Sequence, residues 1–172
     1  MSVVLHSRAI YIEVNISAVQ SVDISLPDRL LDCMSKYGIT SDFFNLEITE
    51  TAAVEAGELL DLNMSRLKTM GCGFSMDDFG TGYSNLHCIR DMNPDCVKMD
   101  KDFTSKAMSN KRDYELFEKI IEMVHSIGIK ICIEGIERGE WQLAMKRMKA
   151  DYLQGYFFGK PCSKTEFIEQ FV

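Results

Sequence analysis

Residues 72–86 read CGFSMDDFGTGYSNL. An apolar, strand-like run ends in two adjacent carboxylates, Asp77 and Asp78, and passes into a turn carrying Gly80 and Gly82. Two anions ahead of a flexible turn are an unusual way to finish a strand. Taken alone, such a turn needs no more than a capping aspartate and glycines that supply positive φ. What separates a cap from a site is whether other strands end the same way.

They do. Strand candidates lie at 9–17 (AIYIEVNIS), 43–49 (FFNLEIT), 72–77 (CGFSMD), 96–100 (CVKMD), 129–135 (IKICIEG) and 151–157 (DYLQGYF). They are β-branched or aromatic in bias and bounded by turn residues. Helical patterns fall between them: Leu60, Met64 and Leu67 before Gly71; Leu116, Ile120, Val124 and Ile127 before Gly128; and LPDRLLDCMSKYG, with Pro27 in the first turn. Strands alternating with helices predict an α/β fold with a mostly parallel sheet and right-handed crossovers.

Parallel strands are usually near-continuous hydrocarbon. Here each carries a polar or charged residue towards its C-terminal end: Asn15, Glu47, Asp77, Lys98, Glu134 and Gln154. Ligand sites of β/α barrels and open α/β sheets lie at those strand ends, so the six side chains should meet at one rim. Three carboxylates and an amide oxygen are hard donors suited to Mg²⁺ or Mn²⁺, and without a cation they would repel one another. A lysine among them suits a phosphate or a metal-bound water better than a packed core.

The bulk properties narrow the partners. With 172 residues, 46% apolar and 26% charged, the chain suits one globular domain, and no Ser- or Pro-rich linker divides it. No stretch approaches the roughly 18 apolar residues of a membrane span, and the start lacks the pattern of a secretory signal, so the expected location is cytoplasmic. Six cysteines without a Cys-x-x-Cys pair predict free, mostly buried thiols. Three scattered histidines offer no zinc motif. A net charge of −7 disfavours DNA, whose phosphates must be neutralised by Lys and Arg. A small phosphorylated ligand bridged by cations remains compatible.

With these residues placed, the chain resembles the EAL-domain family of cyclic di-GMP phosphodiesterases. The likeness runs through VNISA (14–18), LEITET (46–51), DDFGTGYSNL (77–86), VKMDKDF (97–103), IEGIE (133–137) and QGYFFGKP (154–161). The resemblance implies a modified TIM-type (β/α) barrel with one antiparallel strand, and divalent-metal-dependent hydrolysis of cyclic di-GMP, a bacterial second messenger, to pGpG. It further implies that Asn15, Glu47 and Asp77 are metal ligands and that Asp78 lies near a second metal. Lys98 then meets the attacking water and the phosphate, and Glu134 is a general base or second-metal ligand. Gln154 lies at the mouth of the site. Glu50 holds the loop after Asp78, which carries Gly80, Gly82 and Tyr83 and links the metals to the substrate pocket. Adjacent aspartates make sense on this reading, because two neighbouring cations need more oxygen donors than one carboxylate supplies.

The Glu-Ala-Leu segment that names the family, with its metal-ligating glutamate, has no counterpart here; the nearest string, VEAGEL (54–59), falls in a helical pattern. The expectation is therefore a single truncated domain over 1–172, a partial barrel of about six of eight strands. Such a piece is expected to be weakly active or inactive apart from a larger parent. Edges at AIYIEVNIS and at the Gln154 strand should be open, favouring a homodimer or strand complementation. Glu13, on the same strand face as Asn15, is expected to be solvated at that edge. The alternative function is a non-catalytic module that binds cyclic di-GMP or a protein partner.

Overall fold

The computed structural model describes residues 3–6, 9–80 and 86–171. Seven strands form one sheet in sequence order: β1 (Val3–His6), β2 (Ala9–Asn15), β3 (Phe44–Thr49), β4 (Gly73–Phe79), β5 (Cys96–Met99), β6 (Lys130–Ile133) and β7 (Tyr152–Leu153). From β2 to β7 every pairing is parallel, and β1 folds back antiparallel on β2. Six parallel strands in consecutive order, with helices in the crossovers, make the half-barrel of an α/β fold. The crossovers hold α1 (Ala18–Ser21), α2 (Leu26–Tyr37), α3 (Glu50–Thr69), α4 (Leu86–Met92), α5 (Lys101–Ala107), α6 (Lys111–Ser126) and α7 (Gly139–Arg147), and α8 (Lys164–Phe171) follows β7. No helix among the described residues is long and apolar enough to cross a membrane.

The strands follow a strict alternation. Leu46, Ile48, Phe74, Met76, Val97, Met99, Ile131 and Ile133 are buried in the core with Leu60 and Leu67 of α3 and Phe117, Ile121 and Val124 of α6. Because side chains of a strand alternate between faces, their neighbours Glu13, Asn45, Glu47, Ser75, Cys96, Lys98 and Cys132 face the other way. These are buried too. The helix-covered face is hydrocarbon and the inner face is polar along its length, which explains why these strands do not read as continuous hydrophobic runs. One inner layer runs across five strands, from Asn15 to Glu47, Ser75, Cys96 and Lys130 in register. Asn45 Nδ2 donates to Ser75 Oγ at 2.5 Å, so this polar interior satisfies part of itself.

Local chemistry starts several helices directly at strand ends. Thr49 accepts from the Ala52 amide to open α3, and Asp100 accepts from the amides of Asp102 and Phe103 to open α5. All four buried cysteines (Cys72, Cys88, Cys96, Cys132) and the two exposed ones (Cys33, Cys162) are free thiols.

Three expectations need correction. The edge of β2 is not open, because β1 pairs with it through Val3↔Ile12 to His6↔Ala9. The last strand covers two residues instead of 151–157. It stops because Gly155 passes against Ile136, where an added Cβ would lie 2.2 Å from the Ile136 carbonyl oxygen. The chain then turns, with the Phe157 amide donating to Ile136. The stripe on α6 is rotated: Phe117 and Ile121 are buried, whereas Leu116 and Ile127 are exposed. Apolar residues occupy neighbouring positions there, and an edge-on contact of Phe117 with Phe103, centroids 5.1 Å apart, selects the face. VEAGEL does lie within a helix, α3, whose geometry breaks at Gly57, where φ is 55° and ψ −140°.

Candidate functional site

The ends of β2 to β6 meet around the ammonium of Lys98. This side chain, on β5, is among the most buried in the protein, at 1% exposure. Its Nζ donates to Glu47 Oε1 on β3 and lies 2.9 Å from Glu134 Oε1, just beyond β6. Glu13 Oε2 on β2 is 3.8 Å away and Asp77 Oδ1 on β4 is 3.9 Å away. Four carboxylates from four different segments therefore surround one cation.

Asp78 joins them through a backbone irregularity. Pairing of β4 with β5 steps from Met76↔Val97 to Phe79↔Met99, three residues against two. The extra residue makes a bulge, and Asp78 adopts a left-handed φ of 58°. In a regular strand Asp77 and Asp78 would point to opposite faces. The bulge brings Asp78 within electrostatic reach of Lys98, Asp77, Asp100 and Lys101. Its amide donates to Asp77 Oδ1 at 2.9 Å, which helps fix the pair. A non-glycine residue held in this region is strained, and such strain gathers at functional sites.

Burial and charge set the protonation of the group. Glu47 is pushed up to about 7, first by burial, with Lys98 opposing and Glu13 adding to the rise. Burial also raises Glu134, and Asp77 and Asp78 add to it against Lys98. Asp78 is raised by burial, then by Asp77 and Asp100. Burial works to lower Lys98, yet Glu134, Asp77, Glu47 and Glu13 together raise it, so the ammonium stays charged.

Other expected residues fall around this cluster. Asn15 pairs in register with Glu47 and is exposed at the rim. Gln154 follows β7, with its amide donating to Ile133 and its carbonyl accepting from Ile136. Glu50 is buried in the first turn of α3 and helps raise the thiol of Cys88 on α4. Gly80 turns the chain at φ 99°, with an added Cβ 2.5 Å from Phe103 Cδ1. Gly82 and Tyr83 lie outside the described residues. Phe79, which ends β4 beside Asp78, is 3% exposed and belongs to the core.

Glu13 departs furthest from its expected surroundings. It is 4% exposed, not solvated, because β1 covers the edge of β2 and the inner face curls around it. The alternation in IEVN (12–15) puts Glu13 and Asn15 on one face, but it does not tell that this face is buried at Glu13. A cavity of about 240 Å³ opens at the opposite, N-terminal ends of the strands, among Phe44, Asn45, Gly73, Cys96, Lys130 and Tyr152. Neither Lys98 nor the rim carboxylates Glu47, Asp77 and Glu134 line it.

The donor chemistry suits a hard divalent cation: oxygens only, with five carboxylates sharing one buried ammonium. Among the described residues, no three His, Cys, Asp or Glu side chains are arranged to hold such an ion, since the carboxylates close on Lys98 instead.

The EAL domain family model matches residues 3–161. Oxygen sensor protein DosP of Escherichia coli is 32% identical over 155 residues, which are 90% of this chain and 19% of DosP. Cyclic di-GMP phosphodiesterase RocR of Pseudomonas aeruginosa is 27% identical over 155 residues, again 90% of this chain but 40% of RocR. The solved structure of the EAL enzyme Bd1971 in its cAMP and cyclic-di-GMP bound form matches with a TM-score of 0.87 at 29% identity. That match covers 92% of this chain and 42% of the Bd1971 chain. The chain thus spans less than half the length of each of these proteins.

Proposed function

Since the chain belongs to the EAL domain family, we propose that its strand-end cluster is the centre of a cyclic di-GMP phosphodiesterase that hydrolyses the cyclic dinucleotide to linear pGpG. The observation that carries this reading is the convergence of Glu47, Asp77, Asp78 and Glu134 on Lys98 from separate segments at one rim. A fold has no need to bury so much like charge around one ammonium, and sites with displaced protonation equilibria are where chemistry is done.

Asn15, Glu47, Asp77 and Asp78 would hold Mg²⁺ or Mn²⁺, which supplies an activated water and charge neutralisation at the phosphate. Lys98 brings a permanent positive charge to the phosphate oxygens. Glu134, whose proton affinity is raised by burial, takes the proton from the attacking water at a carboxylate oxygen. Gln154 orients the nucleotide at the mouth. Glu50, buried in the first turn of α3, steadies the loop that follows Asp78.

A second reading, a nucleotide-binding or protein-interaction module without turnover, has one observation in its favour: Lys98 occupies the position between the carboxylates that a cation needs. Incubation with cyclic di-GMP and Mg²⁺ or Mn²⁺, followed by chromatography, separates the two. The phosphodiesterase yields pGpG and stops when the cation is chelated. Calorimetric binding of cyclic di-GMP without pGpG would leave the module.

A further inference from the structure

Three of the four carboxylates around Lys98, those of Glu47, Asp77 and Glu134, belong to the rim that the proposed function needs for cations and water. The fourth, Glu13, does not. It sits two residues before Asn15 on β2, opposite Asn45 in register, and so on the inner side of the ammonium, towards the foot of the half-barrel. It is nine-tenths or more buried, 3.8 Å from Lys98 Nζ, and close enough to Glu47 to influence its proton affinity.

Resting on the phosphodiesterase reading, we propose that Glu13 is a positioning residue for Lys98: the fixed countercharge that keeps the ammonium in place when the rim carboxylates engage a divalent cation. In this structure the nearest partners of Lys98 are Glu47 and Glu134. A cation drawing Glu47 away removes a close negative partner from Lys98 and adds a like charge beside it. At 1% exposure the ammonium has no water to turn to, and a buried charge without a partner is strongly unfavourable. Burial holds Glu13 in the same interior, so its carboxylate stays with Lys98 whatever the rim does. Cation binding and the retention of Lys98 then cease to compete for the same oxygens.

Glu13→Gln keeps the volume and removes the charge. In the full chain, calorimetry with Mn²⁺ alone should show affinity falling roughly tenfold or more, the range seen when an outer partner of a metal site is lost. Stability measured in chelator should not fall in parallel, and Glu13→Asp should recover part of the affinity. The same substitution in a Lys98→Met background removes both charges of the buried pair, so it also serves if the single variant does not fold. There the further loss should shrink to less than about threefold, because nothing remains to be positioned. An affinity of Glu13→Gln within twofold of the unsubstituted protein overturns the proposal, and so does an equal loss in both backgrounds. If the unsubstituted chain neither binds Mn²⁺ nor forms pGpG, the phosphodiesterase reading falls and this inference with it; normal turnover with an unaffected Glu13→Gln removes the inference alone.

Discussion

Lys98→Met tests the electrostatics on which the site rests. Methionine replaces the side chain with little change of volume and deletes the ammonium that, among the described residues, lies within 4 Å of Glu13, Glu47, Asp77 and Glu134. All four carboxylates are nearly inaccessible or largely shielded, and Lys98 itself is 1% exposed. Removing one partner from a buried ion pair costs about 3–5 kcal/mol, because the charge left behind has neither partner nor water. For a chain of this length each kcal/mol moves the melting temperature by about 2–4 °C, so the variant should melt roughly 6–20 °C lower at pH 7.5. The sign of the pH dependence is fixed as well. Without Lys98, whose charge opposes their rise, the carboxyls of Glu47 and Glu134 climb further above their unfolded values, and the resulting loss is largest at high pH and fades as falling pH protonates them. Urea unfolding in chelator, followed by Trp141 fluorescence at pH 7.5 and pH 5, should show the deficit shrinking by at least half at the lower pH. A deficit below about 1 kcal/mol at pH 7.5, or one of equal size at both pH values, would refute the picture of a carboxylate cluster held by one ammonium.

The unsubstituted protein should carry its own signature from Glu47: with its carboxyl raised from 4.5 to about 7, its contribution favours folding at low pH and is lost as pH rises through that interval, by ~3 kcal/mol in total. Chelator-treated protein should therefore be more stable at pH 5.5 than at pH 8 in urea titrations once other groups are matched by comparison with Glu47→Gln, which should flatten the difference. Gly80→Ala combines a left-handed φ with a collision of its Cβ against Phe103, whose ring is backed by Phe117, and should lose about 1–3 kcal/mol by the same measurement. Asn45→Ala strands the Ser75 hydroxyl inside the polar interior and should cost about 1–2 kcal/mol, with the Asn45→Ala/Ser75→Ala double variant costing less than the sum of the singles.

The sequence by itself determined the strand–helix alternation and the six polar side chains near the strand ends, because both depend on local spacing. A strand placed correctly to within a residue puts its last side chains at the same end as its parallel neighbours, and Glu47, Asp77, Lys98 and Glu134 accordingly meet. What only the tertiary structure decided depends on how strands and helices sit against one another. The bulge that turns Asp78 towards Asp77 exists only in the pairing of β4 with β5. The choice of Phe117 over Leu116 on α6 was made by Phe103, which comes from a different helix. The burial of Glu13 required both the antiparallel cover of β1 and the curl of the inner face towards Lys98, two non-local events that a chain read one segment at a time does not contain. Periodicity tells which side chains share a face, but the dielectric that a carboxylate feels is set by everything folded around that face.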